Sequence, residues 1–436
     1  MQRVRNSDLI TETIPIRTYL LTIHVPFQPI APRTVRLASD WARSLRLLRD
    51  SFGGQFHRFI VAAPAIPVDA DWAEQKPVEF SCAAEGFEFV RLCQAGLRTR
   101  RFWPQAPAVY RRCRTLAAEA TVVHTGMSDL FRPIGFLGFL AAYRAGVPTV
   151  FVEDNDVIAE SDQMNADRHR WRWWFYSRMR SRLTRWVVAR ADLSLLKGPL
   201  LNARFSRFAK NARDFHDTSH SEVWVMPDAE VENKVDALPQ SCTLRCVSVG
   251  RLISRKGLDE SFCAIAAARR LGVPAELDVI GQGPDRTRLE TMVRKLELGP
   301  FVKFLGGREY GKALIDELSQ YHLMLFTSRF EETPRALFDA VAAAVPIAGY
   351  ATAYVRSVIE SESCGVLAPI GDAAGLAAQI RRLWDDRRML IGLTRNAAGA
   401  GRRHAAERWY QRRAEWVNQI IASSGGQRSL PVGGEL

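Results

Sequence analysis

Short apolar runs punctuate this chain, separated by segments in which apolar residues recur at helical spacing. Tyr19 to Val25 reads as a first strand, and a Pro-rich loop and an amphipathic helix over Val35 to Arg49 follow it. Phe59 to Ala63 is a second strand. Ala120 to Val123 and Pro148 to Val152 are short β-branched runs with a helical segment between them. Strand, helix, strand predicts parallel βαβ units. A polar stretch from Asp228 to Ala237 interrupts the pattern, which restarts with Arg245 to Val249 as a strand, Asp259 to Leu271 as a helix and Ala275 to Ile280 as a strand. Strands at Val302 to Leu305 and Leu323 to Phe326, and helices at Arg335 to Ala344 and Ala373 to Trp384, continue the alternation. A last helix spans Arg403 to Ile421. The pattern predicts an α/β protein of two Rossmann-like domains, residues 1–234 and 235–422, with a disordered Gly/Ser tail at 423–436 and a last helix able to cross back to the first domain. No repeat of solenoid period is present.

A length of 436 residues suits two domains with separate cores. With 47% hydrophobic and 25% charged residues the chain is expected to be globular. The opening MQRVRNSDLITETIPIR holds no apolar segment of signal-peptide length, so export is not expected. The longest apolar run, Ile134 to Tyr143, is flanked by Arg132 and Arg144 and is far shorter than the roughly 20 residues of a membrane span. Seven cysteines, scattered and without C-x-x-C spacing, read as reduced thiols of a cytoplasmic protein, with no metal site. A net charge of +13 implies an anionic partner: nucleic acid, a membrane surface or a phosphorylated ligand.

Three segments narrow that choice. Val249-Gly250-Arg251-Leu252, followed by Arg255-Lys256-Gly257, places cations beside a glycine turn at the C-terminal end of a strand, where α/β sheets bind ligands. Arg251 can fork two diphosphate oxygens and Lys256 can add a point charge, although a plain basic surface loop would look the same. Leu277 to Pro284 is a strand ending in Gly281-Gln282-Gly283, a turn that either admits a ligand to the backbone or only needs glycine for its own tightness. In Phe326 to Pro346 a strand ends, a polar loop carries Glu331, Glu332 and Thr333, and Pro334 stands where a helix begins. Amides of that first turn favour a phosphate or sugar hydroxyls. Glu331 and Asp339 can then reach different parts of one extended ligand, or the glutamates simply complement the helix dipole.

In order and spacing these segments resemble the retaining glycosyltransferases of family 4, which have the GT-B fold, over roughly residues 245 to 420. The resemblance implies that Arg251 and Lys256 serve the donor diphosphate, with Gly250, Gly281 and Gly283 as further candidate donor-binding residues. The family's E-x7-E motif maps onto Glu331 and position 339. It implies Glu331 beside the donor sugar, as a candidate catalytic residue, and Asp339 on the ribose, with Glu332, Thr333 and Pro334 lining the donor site. It further implies a UDP- or GDP-sugar donor, no cofactor, retention of anomeric configuration and a lipid-linked or saccharide acceptor in envelope or exopolysaccharide synthesis. The chain departs from the pattern at Asp339 for Glu, Glu332 for Gly and Ala344 for Gly. Those departures keep a degenerate, non-catalytic scaffold open as an alternative, alongside a nucleotide-sugar epimerase.

The N-terminal half resembles the family loosely. Val122-Val123-His124 is similar to its short strand ending in His, and Glu153-Asp154-Asn155-Asp156 stands where a strand commonly ends in His-Asp. Asp154 is therefore a second candidate catalytic carboxylate, against the simpler reading of a solvated loop. Arg33, in Ala31-Pro32-Arg33-Thr34, is a candidate for an acceptor phosphate. Residues 167–192 hold Trp171, Phe175, Met179, Leu183 and Trp186 at helical spacing among many arginines. Three close tryptophans, 171, 173 and 174, exceed one buried stripe. Trp171, Trp174 and Phe175 are thus expected to hold the protein peripherally at an anionic inner membrane face, rather than to pack on a core with snorkelling arginines. Nucleic acid is not expected, since the aromatics are not spread over a sheet.

Overall fold

A computed structural model describes residues 16–70, 77–127, 129–154 and 170–425. The chain divides into two compact units, Met1–Phe151 with Val417–Leu436, and Val152–Trp416. One sheet has seven strands in the order Ala212–Phe215, Leu193–Lys197, Thr149–Glu153, Val122–Gly126, Thr18–Thr22, Arg58–Ala65, Phe87–Gln94. The other has six, in the order Val302–Gly306, Ala275–Ile280, Leu244–Val249, Leu323–Phe326, Ile347–Tyr350, Gly365–Ala368, and every neighbouring pair in it is parallel. Two adjacent strands of it are apolar along their whole length because helices cover both faces. Leu323–Phe326 and Ile347–Tyr350 are buried at every position. On one face lie Phe262, Ile265, Leu376 and Ile380, and on the other Leu337, Val341, Val355 and Val358.

The α/β class and the parallel sheets match the sequence pattern. Ala275–Ile280 and Leu323–Phe326 form at their expected bounds. Val35 to Ala38 does not open a helix. Thr34–Ala38 is a strand of a small three-stranded sheet, and the helix begins at Ser39. Val35 and Leu37 are buried while Thr34 and Arg36 are half-buried, an alternation of period two that helical counting overlooked. The polar stretch Asp228–Ala237 is helical because Val231 and Val235, four residues apart, both reach the core. The last helix, Ala406–Gly425, continues through Ser423 and Ser424, where the tail was expected to start, and those hydroxyls donate to the carbonyls of Gln419 and Ile420. Residues 426–436 lie outside the described part of the chain. Among the described residues no helix is long and apolar enough to cross a membrane.

The helix Arg335–Ala342 ends in a Schellman turn: Val345 N–H bonds the Ala340 carbonyl at 2.9 Å, and Ala344 N–H the Val341 carbonyl at 3.1 Å. Ala344, one of the positions at which the chain departs from the resemblance, holds φ at +53°. Alanine tolerates this left-handed position at a cost because its methyl is fully buried against Met226, Val231 and Ala398. Lys234 donates to the freed Ala344 carbonyl at 2.9 Å, and burial pushes its ammonium down to about 7.

Candidate functional site

In the six-stranded sheet the first and fourth strands in chain order, Leu244–Val249 and Leu323–Phe326, lie side by side. Their crossovers leave in opposite directions, which opens a crevice at their carboxyl ends. The loops 250–257 and 327–334 flank it. Thr327 Oγ1 donates to the Gly257 carbonyl at 2.7 Å and meets Ser261 Oγ at 2.7 Å, while Ser328 Oγ donates to the Arg255 carbonyl at 3.1 Å. Gly257, at φ +64°, lies so close that a Cβ would stand 2.1 Å from the Thr327 carbonyl oxygen, so only glycine fits. Gly281 and Gly283 have a related role. A Cβ on either would strike the Gly250 or Leu252 carbonyl, at 1.8 and 2.3 Å, and the two loops are joined by Gly250 N–H to Ile280 O and Leu252 N–H to Gln282 O. The close approach at these glycines is therefore to the chain's own backbone.

Charged groups converge on this scaffold. Arg251 is exposed, and its guanidinium has no partner among the described residues. The Lys256 side chain runs beside Gly250 and its Nζ lies 2.6 Å from Glu332 Oε2, with Arg255 3.6 Å from the same oxygen. Glu331 points elsewhere: its carboxylate accepts from the backbone N–H groups of Ala353 at 2.6 Å and Tyr354 at 3.4 Å, the first residues of the helix Ala353–Glu362. Thr333 is half-buried, and Pro334 is buried at the N-cap of Arg335–Ala342, where it has no side-chain acceptor to offer the first turn.

Asp339 is buried and accepts a hydrogen bond from Tyr310 Oη at 2.9 Å, and the Tyr310 ring meets Trp224 edge-on at 5.8 Å. Sequence reasoning did not single out Tyr310 or Trp224. The usable signal was one aromatic in the polar loop Gly306-Gly307-Arg308-Glu309-Tyr310-Gly311 after a strand end. Beneath the helix, His216 Nδ1 lies 2.7 Å from Tyr354 Oη and its ring packs on Phe338, and burial pushes the imidazole down to about 3, leaving it neutral.

The remaining candidates lie in their own settings. Arg33 is exposed in the turn before Thr34–Ala38. His124 is half-buried and shares a 2.9 Å hydrogen bond with Tyr19 Oη. Asp154 is exposed at the end of Thr149–Glu153, while Asn155 and Asp156 fall outside the described residues. Its neighbour Glu153 is fully buried, 2.9 Å from Arg180 Nη2 and 3.1 Å from Thr184 Oγ1. Burial pushes Glu153 up to about 7, against the pull of Arg180.

Those partners belong to the helix Arg170–Val188, whose buried face is Ser177, Arg180, Ser181, Thr184, Val187 and Val188. Its aromatic face is outside: Trp171 is 71% exposed, Trp174 53% and Phe175 57%. A groove of about 590 Å³ there is lined by Trp174, Phe175 and Met179 together with Arg178, Arg182, Arg185 and Arg204. The inward face thus mixes Val187 and Val188 with Arg180 and Thr184, which hold the Glu153 carboxylate, while the large aromatics face out.

Residues 238–402 match the family model of glycosyl transferases group 1. This part of the chain is similar to the group 1 glycosyl transferase domain. It carries the crevice, both flanking loops and the Glu331 to Asp339 segment. The chain is similar to an amylovoran biosynthesis glycosyltransferase of Erwinia amylovora, 34% identical over 34% of this chain and 37% of that protein. It thus spans little more than a third of that relative's length. The two-domain architecture is the GT-B fold. Sucrose-phosphate synthase of Thermosynechococcus elongatus superposes with a TM-score of 0.63 at 17% identity, covering 94% of this chain and 100% of that one. HepE of Anabaena, solved with UDP, gives 0.61 at 15% identity over the same shares.

Proposed function

We propose that the protein is a retaining glycosyltransferase that moves a sugar from a UDP- or GDP-sugar to a lipid-linked or saccharide acceptor in exopolysaccharide or envelope synthesis. The observation that carries this reading is an unpartnered Arg251 beside Lys256 at the switch point of the group 1 domain. Two fixed cations there suit a diphosphate and stabilise the charge that develops on it as the sugar departs. The first-turn amides behind Pro334 add their dipole to the same end. Asp339, with Tyr310 donating to one of its oxygens, is assigned to the ribose hydroxyls. Glu331 is assigned to the donor sugar. A carboxylate has about four lone-pair sites, so one anchored on two amides can still accept from a sugar hydroxyl. Asp154 is assigned to the reacting face, and Arg33 and His124 to the acceptor, with residues 1–234 as the acceptor domain and 235–422 as the donor domain. No resident cofactor or metal is assigned. HepE, which shares the fold, has been solved with UDP, and the relative in amylovoran biosynthesis supports a polysaccharide pathway.

Calorimetric titration with UDP, GDP and ADP tests the donor assignment. One of the three is expected to bind, and the absence of any binding to folded protein would sink it. Incubation of the matching sugar nucleotide without acceptor separates this reading from an epimerase, which would return an isomerised sugar nucleotide.

The exposed aromatic and arginine face of Arg170–Val188 is assigned to an anionic membrane surface on the cytoplasmic side, where a lipid-linked acceptor would be met. Trp171→Ser/Trp174→Ser/Phe175→Ser is expected to lower sedimentation with phosphatidylglycerol-containing vesicles by at least about tenfold, because each aromatic contributes roughly 1.5–3 kcal/mol when buried. Unchanged sedimentation of the triple variant would remove the membrane assignment.

A further inference from the structure

The lysine assigned to the donor diphosphate already has an anion. Lys256 Nζ is 2.6 Å from Glu332 Oε2, and the Glu332 side chain is only 9% exposed. Its other oxygen, Oε1, is buried and has no hydrogen-bond partner among the described residues. A carboxylate with one oxygen on an ammonium and the other buried without a partner is poorly satisfied. Glu332 stands where the resemblance has glycine, between Glu331, anchored on the Ala353 and Tyr354 amides, and the loop leading to Pro334.

We propose that Glu332 is an affinity-setting residue, an internal anion that occupies Lys256 until the donor diphosphate displaces it. The inference rests on the assignment of Arg251 and Lys256 to that diphosphate. An ammonium has three donors but a compact charge. A phosphate oxygen reaching Nζ therefore comes within a few ångströms of the Glu332 carboxylate, whose side chain is mostly shielded from water, so the repulsion is only partly screened. The diphosphate either shares the lysine with weakened binding or drives Glu332 away. Arg255, 3.6 Å from the same oxygen and half exposed, is the cation placed to receive the displaced carboxylate. In both cases a neutral residue at 332 tightens binding through the phosphates alone.

The test is calorimetry on the full chain with UDP and GDP, and with uridine and guanosine as uncharged probes. Glu332→Gln is expected to bind the preferred nucleotide at least about tenfold more tightly, with nucleoside affinity unchanged. The gain should vanish when Lys256→Met is compared with Lys256→Met/Glu332→Gln. Equal or weaker nucleotide binding by Glu332→Gln, or a gain that survives without Lys256, overturns the proposal while leaving the donor site standing. Failure of both nucleotides to bind wild type and Glu332→Gln overturns the donor site and this inference together. Glu332→Gly, with its unfolding midpoint checked, serves if the glutamine variant does not fold.

Discussion

Arg251→Ala is expected to weaken nucleotide binding by at least about tenfold, and Arg251→Ala/Lys256→Ala by a hundredfold or more. A hydrogen bond to a charged group contributes about 1.5–3 kcal/mol, and each 1.4 kcal/mol is a factor of ten in Kd. The two substitutions differ in what else they disturb. Arg251 is exposed and unpartnered among the described residues, so its loss should leave the thermal midpoint unchanged. Removing Lys256 also leaves the largely buried Glu332 carboxylate with only Arg255, 3.6 Å away, and some stability should go with it. The single Arg251 variant therefore isolates binding from folding. Calorimetry beside thermal unfolding reads both quantities, and full nucleotide affinity in the double variant would show that the diphosphate is held elsewhere.

Arg180→Met is expected to destabilise the protein by about 3–5 kcal/mol above neutral pH. Arg180 and Glu153 have side chains 5% and 1% exposed, and breaking such a pair leaves a buried charge without its partner. The loss should depend on pH, with a sign set by Glu153. Its folded pKa is already raised, by burial, to about 7, above the ordinary carboxylate value. Between those values the folded state holds more protons than the unfolded state, so this group's contribution to stability falls as pH rises through the window. Without Arg180 the folded carboxyl rises further, so the deficit of the variant should be greatest above pH 7 and shrink towards about pH 5. Urea unfolding at about pH 5.5 and 8 measures it, and Glu153→Gln/Arg180→Met should recover much of the loss. A deficit equal at both pH values would mean that lost packing, not an unpaired charge, is responsible.

The positions at which sequence and structure part have a common cause. Ala275–Ile280 is legible because Ala275, Leu277 and Val279 alternate with Glu276 and Asp278 at period two, and turn residues bound the segment. Ile347–Tyr350 and Gly365–Ala368 are not, because each is short and holds a glycine that weakens the apolar run, whereas the equally short Leu323–Phe326 is four large apolar residues in succession. The helix Arg170–Val188 was legible as amphipathic and cationic with Trp171, Trp174 and Phe175 outside, but the ion pair on its inner face was not. That depended on Glu153, 27 residues from Arg180, needing a cation.

From the sequence alone came the α/β class, the restart of the pattern near residue 235, and the loops that hold Gly250 to Gly257 and Glu331 to Asp339. These are local matters, set by the periodicity of apolar residues and by Gly and Pro at turns. Tertiary structure alone decided that Glu331 caps Ala353–Glu362, that Gly281 and Gly283 serve loop packing, that Asp339 meets Tyr310 and that Glu332 rests on Lys256. Each of these is a contact between residues 22 to 76 positions apart, or between neighbouring strand-end loops. No local spacing encodes such a pairing, because it arises only when the strand order brings separate loops to one end of the sheet.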